Sequence, residues 1–232
     1  MLERIKHRKR QIPRIVLVGG QCAGKSKLLN AIQTAWGDRM RYIPEFAGFV
    51  CTRFKYKPAH HTRDVQELIQ YGFYECQCWL EFMAEQGATA GNCLAVVSDR
   101  GTLDGAAYYM GRLDDWCVSC RTTIEAEYGR YDLVILLGQA DEVVYKRRSE
   151  EHTERNPSEY AVARARAEMI YSLWKRHPNV KCIPSFPTWE EKKTAALQEI
   201  TNFLGREAAK PSTDGIESGQ AMTRADATPI PV

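Results

Sequence analysis

The residues Gly19 to Ser26 read Gly-Gly-Gln-Cys-Ala-Gly-Lys-Ser and fit the pattern G-x-x-x-x-G-K-[ST]. Glycines let the chain turn back tightly, so that successive backbone N–H groups converge on one point. A helix beginning near Lys25 would add its unpaired N–H groups and the positive end of its dipole. The segment therefore predicts a site for the phosphates of a nucleoside triphosphate, formed by Gly19, Gly20, Gln21, Cys22, Ala23, Gly24, Lys25, Ser26 and Lys27.

Two side chains of this loop are expected to do different chemistry. Lys25 should reach the β- and γ-phosphates, and the Ser26 hydroxyl should bind Mg²⁺. A second metal-side group is Asp99, which ends the apolar run 94–98 and is followed by Arg100. Ligands bind at the carboxyl ends of strands in open α/β sheets, which places Asp99 at the expected edge. The alternative is that Asp99 caps the next helix and pairs with Arg100, and both roles can hold together.

A third acid and a basic segment complete the candidate catalytic groups. Glu45 follows the apolar run 41–44, where its carboxylate could accept a proton from an acceptor hydroxyl. Arg147, Arg148 and Arg155 lie in the segment 146–155, which follows another apolar run. Guanidinium groups can close over a transferring phosphoryl group and stabilise its charge. A solvated helix end with i,i+4 ion pairs explains the same charges equally well.

The elements that must position these residues follow from hydrophobic patterning. Short, continuously apolar runs, typical of strands buried on both faces, occur at 14–19, 41–44, 94–98, 133–137 and 180–183. Segments with apolar spacings of three and four predict helices at 26–36, 65–84, 122–128, 160–176 and 189–204. Strands that alternate with helices predict an α/β fold, a three-layer arrangement of about five parallel strands with helices on both faces.

Length and composition favour one globular domain. The chain has 232 residues, 44% of them hydrophobic and 26% charged, which excludes a mainly disordered, collagen-like or coiled-coil protein. We expect a basic N-terminal arm over 1–12, one domain over 13–205 and a disordered tail over 206–232. The arm holds the basic residues Arg4, Lys6, Arg8, Lys9 and Arg10.

Sequence features also bear on compartment and assembly. The sequence contains no apolar run long enough to span a membrane, and the arm lacks the apolar stretch of a secretory signal. The eight cysteines are irregularly spaced, which favours reduced thiols in a cytoplasmic protein over a zinc site that joins Cys117 and Cys120 to Cys76 and Cys78. Trp79, Trp116 and Trp174 are compatible with burial or with a homodimer interface.

Together, four segments resemble the P-loop kinase group, which includes deoxynucleoside kinases, thymidylate kinases and the nicotinamide-riboside-kinase-like ATPases. The segments are GGQCAGKS, PEFAG, SDRGTLDGAAYYMG, and YDLVILLG followed by RRSEEHTERN. The resemblance extends from Ile12 to Leu204. It implies a P-loop NTPase fold with an Arg-rich lid and the cofactors ATP, or GTP, and Mg²⁺.

Residue by residue, the resemblance implies several roles. Glu45 resembles the general base of deoxynucleoside kinases, and Asp99–Arg100 resembles their acid–arginine pair. Arg147, Arg148 and Arg155 resemble their lid. The stretch 182–191 resembles the loop that packs near the nucleobase of the donor.

The implied function is an ATP- and Mg²⁺-dependent phosphotransferase that moves the γ-phosphate to a nucleoside-like acceptor. The acceptor is a nucleoside, a nucleotide or an end or base of a polynucleotide, since the basic arm would track DNA or RNA phosphates. The alternative is a nucleotide-binding regulatory switch with slow turnover that acts through a protein or an anionic lipid. The two are distinguished by whether a phosphate is transferred at all.

Overall fold

The computed structural model describes residues 12–56, 61–109, 112–151 and 159–209. Within them, five parallel strands form one sheet in the order β2-β3-β1-β4-β5. The strands are β1 Arg14–Val18, β2 Met40–Ile43, β3 Ala95–Asp99, β4 Leu133–Leu137 and β5 Val180–Ile183. Because β1 lies between β3 and β4, the strand order reverses beside it. The carboxyl end of β1 therefore opens into the crevice where ligands bind in such sheets.

Helices cover both faces of this sheet. The α-helices are α1 Lys25–Trp36, α2 Phe46–Arg53, α3 Arg63–Ala90, α4 Leu113–Ser119, α5 Ile124–Tyr128, α6 Glu142–Glu151, α7 Tyr160–Trp174 and α8 Trp189–Ala208. Two 3₁₀ segments, Gly37–Arg39 and Thr102–Ala107, precede β2 and follow β3. None of the helices in the described ranges is long and apolar enough to cross a lipid bilayer.

The residues of β1 alternate between two hydrophobic cores. Ile15 and Leu17 pack with α1 and α8 on one face. Val16 and Val18 pack on the other face in a cluster that includes Trp116 and residues of α3 and α7. The consecutive apolar residues 15–18 satisfy both faces of the sheet, which is why this part of the sequence shows a continuous run rather than alternation.

The structure confirms the predicted α/β fold and all the predicted strands. The helix predicted over 65–84 extends over Arg63–Ala90, and the one predicted to end at Leu204 continues to Ala208. Arg206, Glu207 and Ala208 are good helix formers, so the helix takes in the first residues of the predicted tail. The rest of the tail from residue 210, the arm over 1–11 and Arg155 lie outside the described residues.

Three helices were absent from the sequence prediction. Two of them, α2 and α4, have only 8 and 7 residues, too short to establish a helical period. The third, α6, has the sequence EVVYKRRSEE, which is too polar to show an apolar stripe. Both α2 and α6 adjoin predicted site residues, because Glu45 directly precedes the first and the second carries Arg147 and Arg148.

Candidate functional site

The phosphate loop connects β1 to α1 through backbone conformations that favour glycine. Gly19 has a φ of 141° and Gly24 a φ of 98°. A Cβ atom on Gly19 would lie 2.7 Å from the backbone oxygen of Leu137, so a side chain is excluded there by space as well as by conformation. Cys22 has a φ of 60°, an uncommon value for a residue with a side chain. Strained positions of this kind concentrate at functional sites.

Lys25, the first residue of α1, is folded back onto the loop. Its Nζ donates hydrogen bonds to the backbone oxygens of Gly19, at 2.9 Å, and Gly20, at 2.8 Å. The side chain is buried. Burial, and next the nearby Arg100 guanidinium, lower the pKa of Lys25. An anion placed in the loop would relieve both effects, because it supplies the negative charge that the buried ammonium group lacks.

Ser26 and Asp99, the two residues predicted to bind Mg²⁺, are hydrogen-bonded to each other. The Ser26 Oγ donates a hydrogen bond to the Asp99 Oδ2 at 2.6 Å. Asp99 is placed there by the pairing of β3 with β1, in which it lies opposite Leu17. Asp99 is only 1% exposed, and its Oδ1 is buried without a hydrogen-bond partner. Burial raises the pKa of this carboxyl group. A hydroxyl and an uncommitted carboxylate oxygen fit Mg²⁺, which takes few protein ligands beside phosphate and water oxygens.

Glu45 and Arg100 meet at the carboxyl ends of β2 and β3. The Arg100 Nε donates to the Glu45 Oε1 at 2.5 Å, and the Arg100 guanidinium lies 3.5 Å from the Asp104 Oδ2. Burial opposes the charge of Arg100, but Glu45 and the other nearby acidic groups raise its pKa well above the usual value. Arg100 has a φ of 86°, so the backbone is strained where this side chain is aimed at the site.

Helix α6 contacts the outer surface of the loop. The Arg148 guanidinium donates to the backbone oxygen of Cys22 at 2.5 Å, and the Tyr145 hydroxyl donates to the Gln21 Oε1 at 3.0 Å. Arg147, one residue earlier than Arg148, is exposed. The structure therefore brings one of the predicted lid arginines to the loop and leaves its neighbour on the surface.

Helix α8 supplies a lysine that the sequence analysis missed. The Lys192 Nζ donates to the backbone oxygens of Ala23 and Gly138, both at 2.9 Å. Burial, followed by the nearby charges of Arg148 and Lys25, lowers the pKa of Lys192 to about 8. At the start of the same helix, the Trp189 ring lies 4.7 Å from the Lys27 Nζ. Lys192 belongs to no motif, so nothing in the sequence distinguishes it from Lys193, the other lysine of α8.

Asp104 is a second residue of the site that was not predicted from the sequence, although its spacing from Arg100 could have indicated it. It lies four positions after Arg100 and accepts a hydrogen bond from the Trp174 Nε1 at 2.7 Å. An acid four residues from an arginine is close enough in sequence for an ion pair, which could have indicated the contact with Arg100. Burial raises the pKa of Asp104 to about 6, although Arg100 and Lys25 oppose the rise.

The cysteines bear on the zinc alternative. In the part of the chain that the structure describes, no group of three or more His, Cys, Asp or Glu side chains is arranged to hold a metal ion. None of the eight cysteines, all of which lie in the described residues, forms a disulfide bond.

A five-stranded parallel sheet with a G-x-x-x-x-G-K-S loop after its central strand defines the P-loop NTPase class. Residues 14–192 match the family model AAA_28, described as an AAA domain. The chain belongs to this family of AAA domains. A search of curated proteins found no match. The matched range includes the phosphate loop, Asp99, Arg148 and Lys192, and P-loop domains of this class bind nucleotides.

Proposed function

We propose that the protein is a Mg²⁺-dependent phosphotransferase that moves the γ-phosphate of ATP or GTP to a nucleoside-like acceptor. The observation that carries the proposal is the Glu45–Arg100 pair, at 2.5 Å, beside the phosphate loop. Both groups follow strands that neighbour each other in the sheet, and both act electrostatically on Lys25. A carboxylate at this edge is suited to accept a proton from a hydroxyl as that hydroxyl attacks phosphorus.

The other groups of the site would neutralise charge and position the reacting groups. Lys25 and Mg²⁺, held by Ser26 and Asp99, would neutralise the phosphate charge as it shifts toward the leaving group. Arg100 would hold the Glu45 carboxylate in place until the acceptor arrives, and Arg148 would add charge from α6. The loop backbone contributes N–H groups that need no rearrangement during the reaction.

The acceptor is proposed from the likeness to P-loop kinases and from the charge near the chain start. Nucleosides, nucleotides and polynucleotide ends all offer a hydroxyl or a phosphate that can take the γ-phosphate. A polynucleotide acceptor is the variant that the basic arm motivates, since cations that track phosphates bind nucleic acid without reading its sequence; a short basic arm that is only solvated is the alternative. A steep loss of activity on an oligonucleotide between low and moderate salt would support that choice, whereas salt-independent activity would remove it.

The test measures transfer and binding separately. The protein is incubated with Mg-ATP or Mg-GTP and a panel of nucleosides, nucleotides and oligonucleotides, and phosphorylated acceptor is quantified beside free phosphate. Glu45→Gln should lower transfer by about 100-fold or more, because the base is lost. Its nucleotide affinity should stay near the wild-type value. Lys25→Ala should abolish turnover and leave the fold intact.

A matched control is Glu67→Gln, which removes a carboxylate paired with Arg63 at 2.6 Å on the exposed surface of α3. This variant should transfer phosphate at the wild-type rate. Equal losses of transfer and nucleotide binding in Glu45→Gln would make Glu45 structural. Slow hydrolysis with every acceptor would overturn the phosphotransferase proposal and favour the regulatory switch.

A further inference from the structure

Tyr108, just after the 3₁₀ segment Thr102–Ala107, lies beside two guanidinium groups. The Arg100 Cζ is 5.5 Å and the Arg166 Cζ 5.0 Å from the centre of its ring. The Tyr108 hydroxyl is buried, and it has no hydrogen-bond partner in the structure. A buried hydroxyl without a hydrogen-bond partner destabilises the fold, and a ligand that accepts a hydrogen bond from it would remove this cost. The place thus combines a donor that lacks an acceptor with two positive groups.

This place lies between the acceptor side of the site and the phosphate loop. On one side, Arg100 pairs with Glu45. On the other side, Tyr145 donates its hydroxyl to Gln21 in the loop. Burial raises the pKa of Tyr145, Cys22 and Tyr108 add to the rise, and Arg166 opposes it, so these groups are close neighbours. The Tyr108 ring therefore has neighbours on both the acceptor side and the loop side of the site.

We propose that Arg166 and the Tyr108 hydroxyl bind the terminal phosphoryl group of the nucleoside triphosphate. This inference rests on the proposed function, because it takes the triphosphate in the loop as the donor. A guanidinium group donates two parallel hydrogen bonds to phosphate oxygens, and a phenol donates a third. Arg166 belongs to α7, outside the Arg-rich segment 146–155, so the role proposed for it is separate from the one proposed for Arg148.

The test compares the affinity for a non-hydrolysable triphosphate analogue with the affinity for the diphosphate, each with Mg²⁺ and without acceptor. Arg166→Gln should weaken triphosphate binding by about 10-fold or more, the effect of losing a charged hydrogen bond, and leave diphosphate binding unchanged. Tyr108→Phe keeps the ring and removes only the hydroxyl, so it should show the same selective loss on a smaller scale. Arg166→Lys should recover part of the affinity.

The matched control is Arg164→Gln on the same helix. Arg164 is exposed and pairs with Glu168 at 2.9 Å, so its loss should change neither affinity. Equal losses for di- and triphosphate in Arg166→Gln, or no loss, would overturn the inference while the proposed function stands. A loss seen only in the affinity for a phosphorylated acceptor would assign Arg166 to the acceptor and also overturn it. Wild-type protein that binds neither nucleotide would refute both proposals.

Discussion

The carboxylate of Asp99 is the most informative single group at the phosphate site. One oxygen accepts a hydrogen bond from the Ser26 hydroxyl, and the other is buried without a hydrogen-bond partner. Its position was predictable, because a buried strand fixes where its last residue lies and the loop motif fixes Ser26. Its state was not predictable from the sequence. Whether a carboxylate oxygen remains uncommitted depends on the packing of side chains from several elements.

Asp99→Asn should weaken nucleotide binding in the presence of Mg²⁺ by about 10- to 100-fold, because metal affinity depends on carboxylates that orient the ligands. The same variant should bind nucleotide as the wild type does in EDTA. Calorimetric titration under both conditions measures the two affinities. Asp38→Asn, an exposed position after α1, is the control and should show no change. An equal loss in EDTA would mean that Asp99 supports the loop rather than the metal.

The Glu45–Arg100 pair also shows the limit of residue-level prediction. The sequence indicated both residues separately, since each follows an apolar run. It gave no signal that they bond to each other, nor that Arg100 adopts a φ of 86° to do so. Pairing across β2 and β3 depends on the strand order, which patterning alone does not determine.

At the scale of elements, α8 holds the phosphate loop against the end of β4. Lys192 makes this connection through the backbone oxygens of Ala23 and Gly138. Sequence patterning predicted the helix but not this role, because the contact depends on where α8 crosses the loop. Lys193, the next residue, pairs instead with Glu190 on the helix surface. The two lysines therefore form a natural comparison.

Lys192→Met should weaken nucleotide binding, while Lys193→Met should not. The pKa of Lys192, about 8, should rise when a triphosphate brings negative charge nearby. Binding then takes up protons near pH 8, and affinity falls as the pH rises above that value. Calorimetry in buffers of different ionisation enthalpy counts these protons.

Wild-type protein and Lys193→Met should take up more protons than Lys192→Met. Identical uptake in all three would show that Lys192 keeps its proton state on binding. The pH effect would then belong to Lys25, whose pKa is also lowered by burial.

At the scale of the whole molecule, a buried polar network connects α3 with the first residue of β1 and with the residues just before β4. The Glu81 carboxylate on α3 accepts hydrogen bonds from Arg14, Arg130 and Tyr131. The sequence predicted the sheet and its covering helices because apolar runs and helical periods are local signals. It gave no sign of the network, whose hydrogen-bonded pairs lie 49 to 67 positions apart in the sequence.

Asp104 should make the stability of the whole domain depend on pH. Its pKa is about 6 in the fold, above the ordinary 3.8, so the native state holds a proton that the unfolded chain releases. The stabilising effect of that proton is lost as the pH rises from about 4 to about 7. Asp104→Asn should gain stability relative to wild type over this range, on the order of 2 kcal/mol.

Urea unfolding of wild-type protein and Asp104→Asn at both ends of the pH range measures the difference in their free energies of unfolding. The contributions of the other carboxyl groups are common to both proteins and cancel in this difference. The Asn side chain can still accept from Trp174, so the packing is preserved. A difference that stays constant with pH would show that Asp104 titrates normally in the folded protein.

The contacts on the outside of the phosphate loop have a consequence for fragments of this chain. The loop sequence is complete by Ser26, yet Gln139, Arg148 and Lys192, which bond to its carbonyl oxygens, come more than a hundred positions later. A fragment that ended at the last residue of β4 would contain the whole motif and none of the three side chains that bond to the loop. Transplanting the eight residues Gly19 to Ser26 into another scaffold would therefore transfer the phosphate-binding sequence without the side chains that hold the loop in its conformation.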